Sequence, residues 1–150
     1  MMEMDIKSRQ ILRVLERNGR ISNLELAQRV ALSPSACLRR VQELERSGVI
    51  TGYRAVIDRE KTGEGFVTYV AVGLLEHTKS AQAAFERAME AAPQVRECHN
   101  VAGAFEYLLR IEVANLAAYK AFHTDILGTV KQVNSITSYV VMGSPKDERK

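Results

Sequence analysis

The chain has 150 residues, 46% of them hydrophobic and 26% charged. That is enough apolar material for one compact domain or two small ones, and it excludes a disordered polypeptide. The net charge is +3, with 11 Lys/Arg against 8 Asp/Glu in residues 1–60 and 10 of each in residues 61–150, so an anionic partner is expected for the first part of the chain only.

Residues 5–17, "DIKSRQILRVLER", place Ile11, Leu12, Val14 and Leu15 on one helical stripe, with Asp5 as N-cap. Asn18-Gly19 ends this helix, and the glycine can take a left-handed C-cap. "SNLE" (22–25) is a capping box in which Ser22 caps and Glu25 reaches back. The short helix it opens runs to about Val30, with Leu24, Leu26, Ala27 and Val30 partly inward. Ser33 caps a third helix, Pro34 takes its first position, and the helix runs to about Arg46 before Ser47-Gly48.

Two short helices joined by a few residues and preceded by a third are the signature of a helix-turn-helix unit. A rotation of about 100° per residue puts Cys37, Val41 and Leu44 on the inner stripe of the third helix, with Leu38 beside it. Ser35, Ala36, Arg39, Gln42, Glu43 and Arg46 fall opposite. The first outward turn is small and polar, which permits close approach to a surface, and the arginines follow one turn later. On a lone helix these arginines would read as a solvated face. Two caps, a tight turn and a preceding helix reverse that reading. They assign Ser22, Ser33, Ser35, Ala36, Arg39, Arg40, Gln42 and Arg46 to a DNA contact surface, with Ser35, Ala36 and Arg39 toward base edges and Arg40 and Arg46 toward phosphates.

From residue 51 the period changes. "GYRAVID" (52–58) predicts a strand leaving the helical unit, and "FVTYVAVGLL" (66–75) a buried strand. "SAQAAFERAMEAA" (80–92) is an amphipathic helix stopped by Pro93. "VRECHNV" and "FEYLLRIEV" are two strands with a tight turn at "AGA" (102–104). "NLAAYKAFHTDIL" (115–127) is a helix capped by Asn115, and "VNSITSYVVM" (133–142) a last strand. The order β-α-β-β-α-β is the ferredoxin-like plan. The fold class is therefore α+β: a helix-turn-helix unit at 1–50, a linker strand and loop at 51–62, a ferredoxin-like domain at 63–145, and an exposed or disordered tail at 146–150.

Enzyme chemistry is not evident. His77, His99 and His123 share no spacing with acids or cysteines that would hold a metal, and no dinucleotide fingerprint, phosphate loop or nucleophile elbow occurs. Cys98 and His99, adjacent on a strand, point to opposite faces and form no thiol–imidazole pair. Cys37 and Cys98 lie far apart and read as reduced cytoplasmic thiols. No apolar run approaches the roughly 20 residues of a membrane helix, and "MMEMDIKSRQ" does not read as a secretory signal. No metal, cofactor or membrane partner is expected.

The turn "VAGAFEYLL" (101–109) is more informative. Val-Ala-Gly-Ala exposes backbone with almost no side-chain cover, and Glu106 follows between Phe105 and Tyr107. A small zwitterion needs such a site: backbone groups for its carboxylate, an acid for its ammonium, apolar walls for its side chain. The competing reading is a plain hairpin with a solvent-facing acid.

Three segments, "NGRISNLELAQRVALSPSACLRRVQELERSGVITGY" (18–53), "VAGAFEYLLRIEV" (101–113) and "SITSYVVM" (135–142), together resemble the Lrp/AsnC, or feast/famine, family of bacterial and archaeal transcription regulators, over about residues 4–145. The resemblance implies a helix-turn-helix joined by a strand to a ferredoxin-like sensing domain, dimers built through that domain and commonly assembled into octamers, and amino-acid effectors bound between subunits. Carried onto this chain, the effector site is Val101, Ala102, Gly103, Ala104, Phe105 and Glu106, with Thr137 and Ser138 lining the same pocket. The family usually has Asp in place of Glu106, and Gly in place of Ala31 in the turn between the two helices. Copies are expected to pair through sheet residues such as Val67, Tyr69 and Ala71 or their opposite-face neighbours. A two-fold dimer would read an imperfect palindrome in double-stranded DNA, with half-sites about one helical turn apart or a multiple of it. The competing function is a sensing and oligomerisation module that binds no specific DNA.

Overall fold

Three helices make the first unit: α1 (Ile6–Arg17), α2 (Asn23–Arg29) and α3 (Pro34–Arg46). The structure is a computed structural model that describes residues 4–149, and the chain divides into two units between Ala55 and Val56. Each helix of the first unit starts on a side-chain cap. Asp5 accepts from the Ser8 N–H at 2.7 Å, Ser22 from Glu25 at 3.1 Å and Ser33 from Ala36 at 3.2 Å. The reciprocal half of the capping box does not form. The Glu25 carboxylate instead pairs with Arg29 one turn on, at 2.7 Å, where a charge-assisted partner lies on the same face.

Gly19 does not take a left-handed C-cap; Asn18 closes α1 with φ −148, and its side chain accepts from Arg20 N–H at 3.1 Å. The left-handed positions are Ala31 (φ 53), between α2 and α3, and Gly48 (φ 76), after α3. The core of this unit is Ile11, Leu26, Ala27, Val30, Cys37 and Leu44, with Leu12, Val14, Leu15, Val41 and Ile50 against it. Leu24 and Leu38 stay outside, 59% and 46% exposed, because each short helix buries only a narrow stripe.

The second unit has four strands, β1 (Phe66–Leu74), β2 (Val95–Asn100), β3 (Tyr107–Val113) and β4 (Val133–Val140), in the antiparallel order β2-β3-β1-β4. Helices α4 (Lys79–Glu90) and α5 (Leu116–Asp125) pack on one face, capped by Thr78 and Asn115. The core between helices and sheet holds Val70, Val72, Phe85, Met89, Tyr107, Leu109, Ile111, Phe122 and Leu127. Burial of such side chains at about 1.5–3 kcal/mol each is the main force holding this layer pair together. Alternation leaves Val67, Tyr69, Ala71 and Gly73 of β1 on the helix-free face.

Two expectations are corrected. Residues 52–58 form no strand, since a strand needs a ladder partner and the four described strands pair only with one another; Val56 and Ile57 are 65% and 44% exposed. The β2–β3 connection is not a tight turn at 102–104. It spans residues 101–106, closed by Val101 N–H donating to the Glu106 carbonyl at 2.9 Å, and β3 begins at Tyr107. The tail is largely exposed, as expected, and it is also tethered. Arg149 ion-pairs with Glu97 and donates to the Tyr69 hydroxyl at 3.2 Å, and it holds the Asp147 carboxylate at 2.9 Å, which lowers that acid to about 2. Charge pairing therefore lays the tail on the helix-free face.

Candidate nucleic-acid and effector sites

The outward side of α3 carries Ser35, Arg39, Gln42, Glu43 and Arg46 exposed, with Ala36 half-buried. Its arginines have three different environments. Arg39 makes no ion pair or hydrogen bond among the described residues. Arg40, one residue and about 100° further round, turns toward α1. There it ion-pairs with Asp5 and lies 3.4 Å from the Ser8 hydroxyl. The Ser8 N–H and Arg40 together hold Asp5 down at about 2. Arg40 is thus a clamp between α1 and α3 in this structure, rather than an open phosphate contact. Arg46 pairs with Glu43 one turn back, which raises the guanidinium further.

The Ser22 and Ser33 oxygens are engaged as caps; the Ser22 hydroxyl keeps its hydrogen to donate outward, whereas the Ser33 hydroxyl lies 3.4 Å from that of Ser35. Sequence reasoning missed Asn23. Its side-chain amide donates to the Pro34 carbonyl at 2.9 Å and fixes the start of α2 against the start of α3. Lys7 was also missed; it donates to the Val30 carbonyl at 2.5 Å, at the end of α2. The result is a rigidly mounted α3 whose N-terminus, with its positive dipole end, is lined by small polar residues.

In the second unit, Ala102, Gly103 and Ala104 are exposed, and Gly103 has φ 153 with open space where a Cβ would stand. The N–H groups of residues 102–105 find no acceptor among the described residues. Glu106 is positioned with care. Its N–H donates to Val72 O at 3.1 Å, its Oε2 accepts from Leu74 N–H at 2.6 Å, and its Oε1 lies 3.2 Å from His77 Nδ1. The side chain is 18% exposed. Tyr107 points the other way into the core, with its ring centroid 4.6 Å from that of Phe85 and its hydroxyl donating to Glu86 at 2.6 Å; burial, then Glu86, pushes that phenol far up. Phe105 is half-buried.

Thr137 and Ser138 part company. Thr137 pairs with Ala71 on the helix-free side, the side of Glu106. Ser138 alternates to the other face and hydrogen-bonds the Tyr119 hydroxyl of α5, so it does not join the same lining. Ser135 was missed and does join it. A Cβ on Gly73 would stand 2.4 Å from Ser135 Oγ and 3.5 Å from Glu106 Oε2. The glycine inside an apolar strand was the available signal of a close approach. No three metal-ligating side chains gather among the described residues, and no helix is long and apolar enough to cross a membrane.

A capped three-helix unit with an outward recognition helix, followed by a ferredoxin-like unit bearing a side-chain-poor turn and an acid, defines a ligand-responsive DNA-binding transcription regulator. Residues 4–51 match a winged helix-turn-helix DNA-binding family and residues 67–150 the Lrp/AsnC ligand binding domain. The chain belongs to the Lrp/AsnC family of transcription regulators. It is 40% identical over 142 residues to the leucine-responsive regulatory protein of Haemophilus influenzae, covering 95% of this chain and 84% of that protein. The leucine-responsive regulatory protein of Escherichia coli is 36% identical, with 99% and 90% covered. A Neisseria meningitidis transcriptional regulator solved in complex with L-Met superposes with a TM-score of 0.92 at 33% identity, covering 97% of this chain and 94% of the other. A feast or famine regulatory protein of Mycobacterium tuberculosis complexed with L-methionine gives a TM-score of 0.83 at 31% identity, with 99% and 98% covered.

Proposed function

We propose that the chain is a cytoplasmic regulator that binds an imperfect palindrome through paired α3 helices and is modulated by an amino acid held between subunits. The observation that supports the DNA part is the free guanidinium of Arg39. It stands beside Ser35 and Ala36 on the exposed start of α3, while Arg40 and Arg46 are occupied within the chain. Arg39 reads a base edge, and the N-terminal groups of α3, with the Ser22 and Ser33 hydroxyls, fix the register on phosphates.

The effector part is supported by the free N–H groups of residues 102–105 beside the Glu106 carboxylate. These suit the carboxylate and ammonium of an amino acid. Because Ala102, Gly103 and Ala104 are exposed on one chain, a second copy supplies the remaining walls. The two methionine-bound relatives make L-methionine the first effector to test. Val67 and Tyr69 on the helix-free face, beside the tail residue Arg149 and with Ala71 already buried within the chain, are the pairing surface, and dimers assemble into octamers as the family resemblance implies.

Selection of duplexes from a random pool, followed by fluorescence anisotropy with and without L-methionine or L-leucine, tests this reading. The expected outcome is a two-fold related consensus, binding that weakens steeply with salt, and a shift in affinity with one of the amino acids. Equal affinity for selected and scrambled duplexes would leave only the sensing-module reading. Light scattering that finds a monomer at micromolar concentration would remove the assembly.

A further inference from the structure

We infer that His77 is a positioning residue of the effector site, controlling the charge that Glu106 presents to a ligand ammonium. The inference rests on the effector reading of the same turn. His77 stands between β1 and α4, with Nδ1 3.2 Å from Glu106 Oε1, while the buried Leu74 N–H holds Oε2 at 2.6 Å. The carboxylate is therefore gripped at both oxygens, once by backbone and once by a ring whose side chain is 74% exposed. The other two histidines serve elsewhere: His99 contacts Glu97 on β2 at 3.1 Å, and His123 lies edge-on to Tyr119 of α5.

The two protonation states of the ring act differently on the site. A neutral imidazole with its hydrogen on Nδ1 donates to Oε1 and leaves the carboxylate its full charge. An imidazolium makes the same bond but adds a positive charge where the ligand ammonium must come. Two like charges about 6 Å apart at a largely exposed site, where the effective dielectric lies between about 20 and the roughly 80 of water, repel enough to lower affinity roughly tenfold. Glu76 precedes His77 on its own loop, and Lys79 follows as the first residue of α4. Among the described residues, Glu106 is the titratable group at ion-pair distance from it. Lys131, before β4, shares a shallow cavity with Glu76 and Gln132, while Ser135 of β4 and Asn100 of β2 carry no charge. The extra methylene of Glu106, relative to the usual Asp, lets one carboxylate reach Leu74 and His77 together.

An exposed histidine–carboxylate contact adds little to stability, so the test reads ligand binding. L-methionine, and separately L-leucine, is titrated calorimetrically into the full chain at about pH 7.5 and about pH 5.5. Wild type, His77→Asn and Glu106→Gln are compared; the asparagine amide replaces the Nδ1 donor without its charge. The expected result is wild-type affinity falling about tenfold at the lower pH, less than about twofold change in His77→Asn, and weak binding by Glu106→Gln at both. An unchanged pH dependence in His77→Asn overturns the inference alone, and so does a wild type indifferent to pH. Absence of binding by wild type at either pH overturns the effector reading itself, and this inference with it.

Discussion

Replacing Ala31 by glycine isolates the strain in the turn that mounts α3. Ala31 has φ 53, is exposed, and its N–H bonds to the Gln28 carbonyl at 3.3 Å. Leu32 N–H, bonded to Ala27 O at 3.0 Å, fixes the reversal that follows. A left-handed alanine costs about 1–2 kcal/mol through the contact of its Cβ with the following carbonyl. Removing that Cβ loses no packing here, because the methyl faces solvent. Glycine gives back part of the gain, since its freer unfolded chain costs about 0.4–1 kcal/mol. The net expectation is stabilisation of the first unit by about 0.5–1 kcal/mol, or about 2–8 °C in melting temperature for a unit of this size. Ala31→Val should move in the opposite direction, because a β-branched residue at positive φ is still more crowded. Urea titration of the full chain, with hydrogen exchange followed at α2 and α3 amides, checks both. Slower opening in Ala31→Gly is expected. A variant no more stable than wild type, with an unchanged denaturant slope, would refute the strain argument.

Arg39→Ala should lower specific DNA affinity by about 1–3 kcal/mol and leave the melt unchanged. Arg40→Gln should do the reverse, loosening α1 from α3 with only an indirect effect on sequence discrimination; anisotropy on selected and scrambled duplexes separates the two. Asp5 is depressed to about 2 from 3.8, so its stabilising contribution is present above pH 3.8 and lost as pH falls toward about 2. Asp5→Asn, which keeps an acceptor for Ser8 but no charge, should flatten that part of the acid unfolding curve, as read by circular dichroism. Gly73→Ala should destabilise the second unit by about 1–3 kcal/mol through its clash with Ser135 Oγ, and Ser135→Ala should recover much of the loss. Additive losses in the double variant, measured by urea titration, would show that the clash is not the cause.

What could be read from the sequence was local. Asp5, Ser22, Ser33 and Asn115 announce their helices because an N-cap is decided within four residues, and the structure uses all four. Apolar periodicity likewise located both cores. Partnership over distance could not be read in this way. Arg40 looks like a free cation until α1 brings Asp5 beside it, 35 residues away in the chain. Residues 52–58 have strand composition, but composition supplies no ladder partner. Thr137 and Ser138 look equivalent as neighbours, and only the register of β4 on β1 separates them. At the effector turn the acid was legible and its grip was not. The Leu74 N–H has no side-chain signature, and His77 meets Glu106 across 29 residues of chain.

The bond from Leu74 N–H to Glu106 Oε2 makes one carboxylate both the closing rung of the sheet and the proposed contact for a ligand. Two kinds of occupant follow. One settles on the lone pairs that the carboxylate still has free, and β1 ends as it did before. The other draws Oε2 away, leaving a buried backbone N–H unpaired at a cost of about 1–3 kcal/mol, which the end of β1 must relieve by moving. Only the second does mechanical work on the fold. Tight binding and strong signalling are then separate properties at this site, and a silent amino acid that binds better than the inducing one would act as its antagonist.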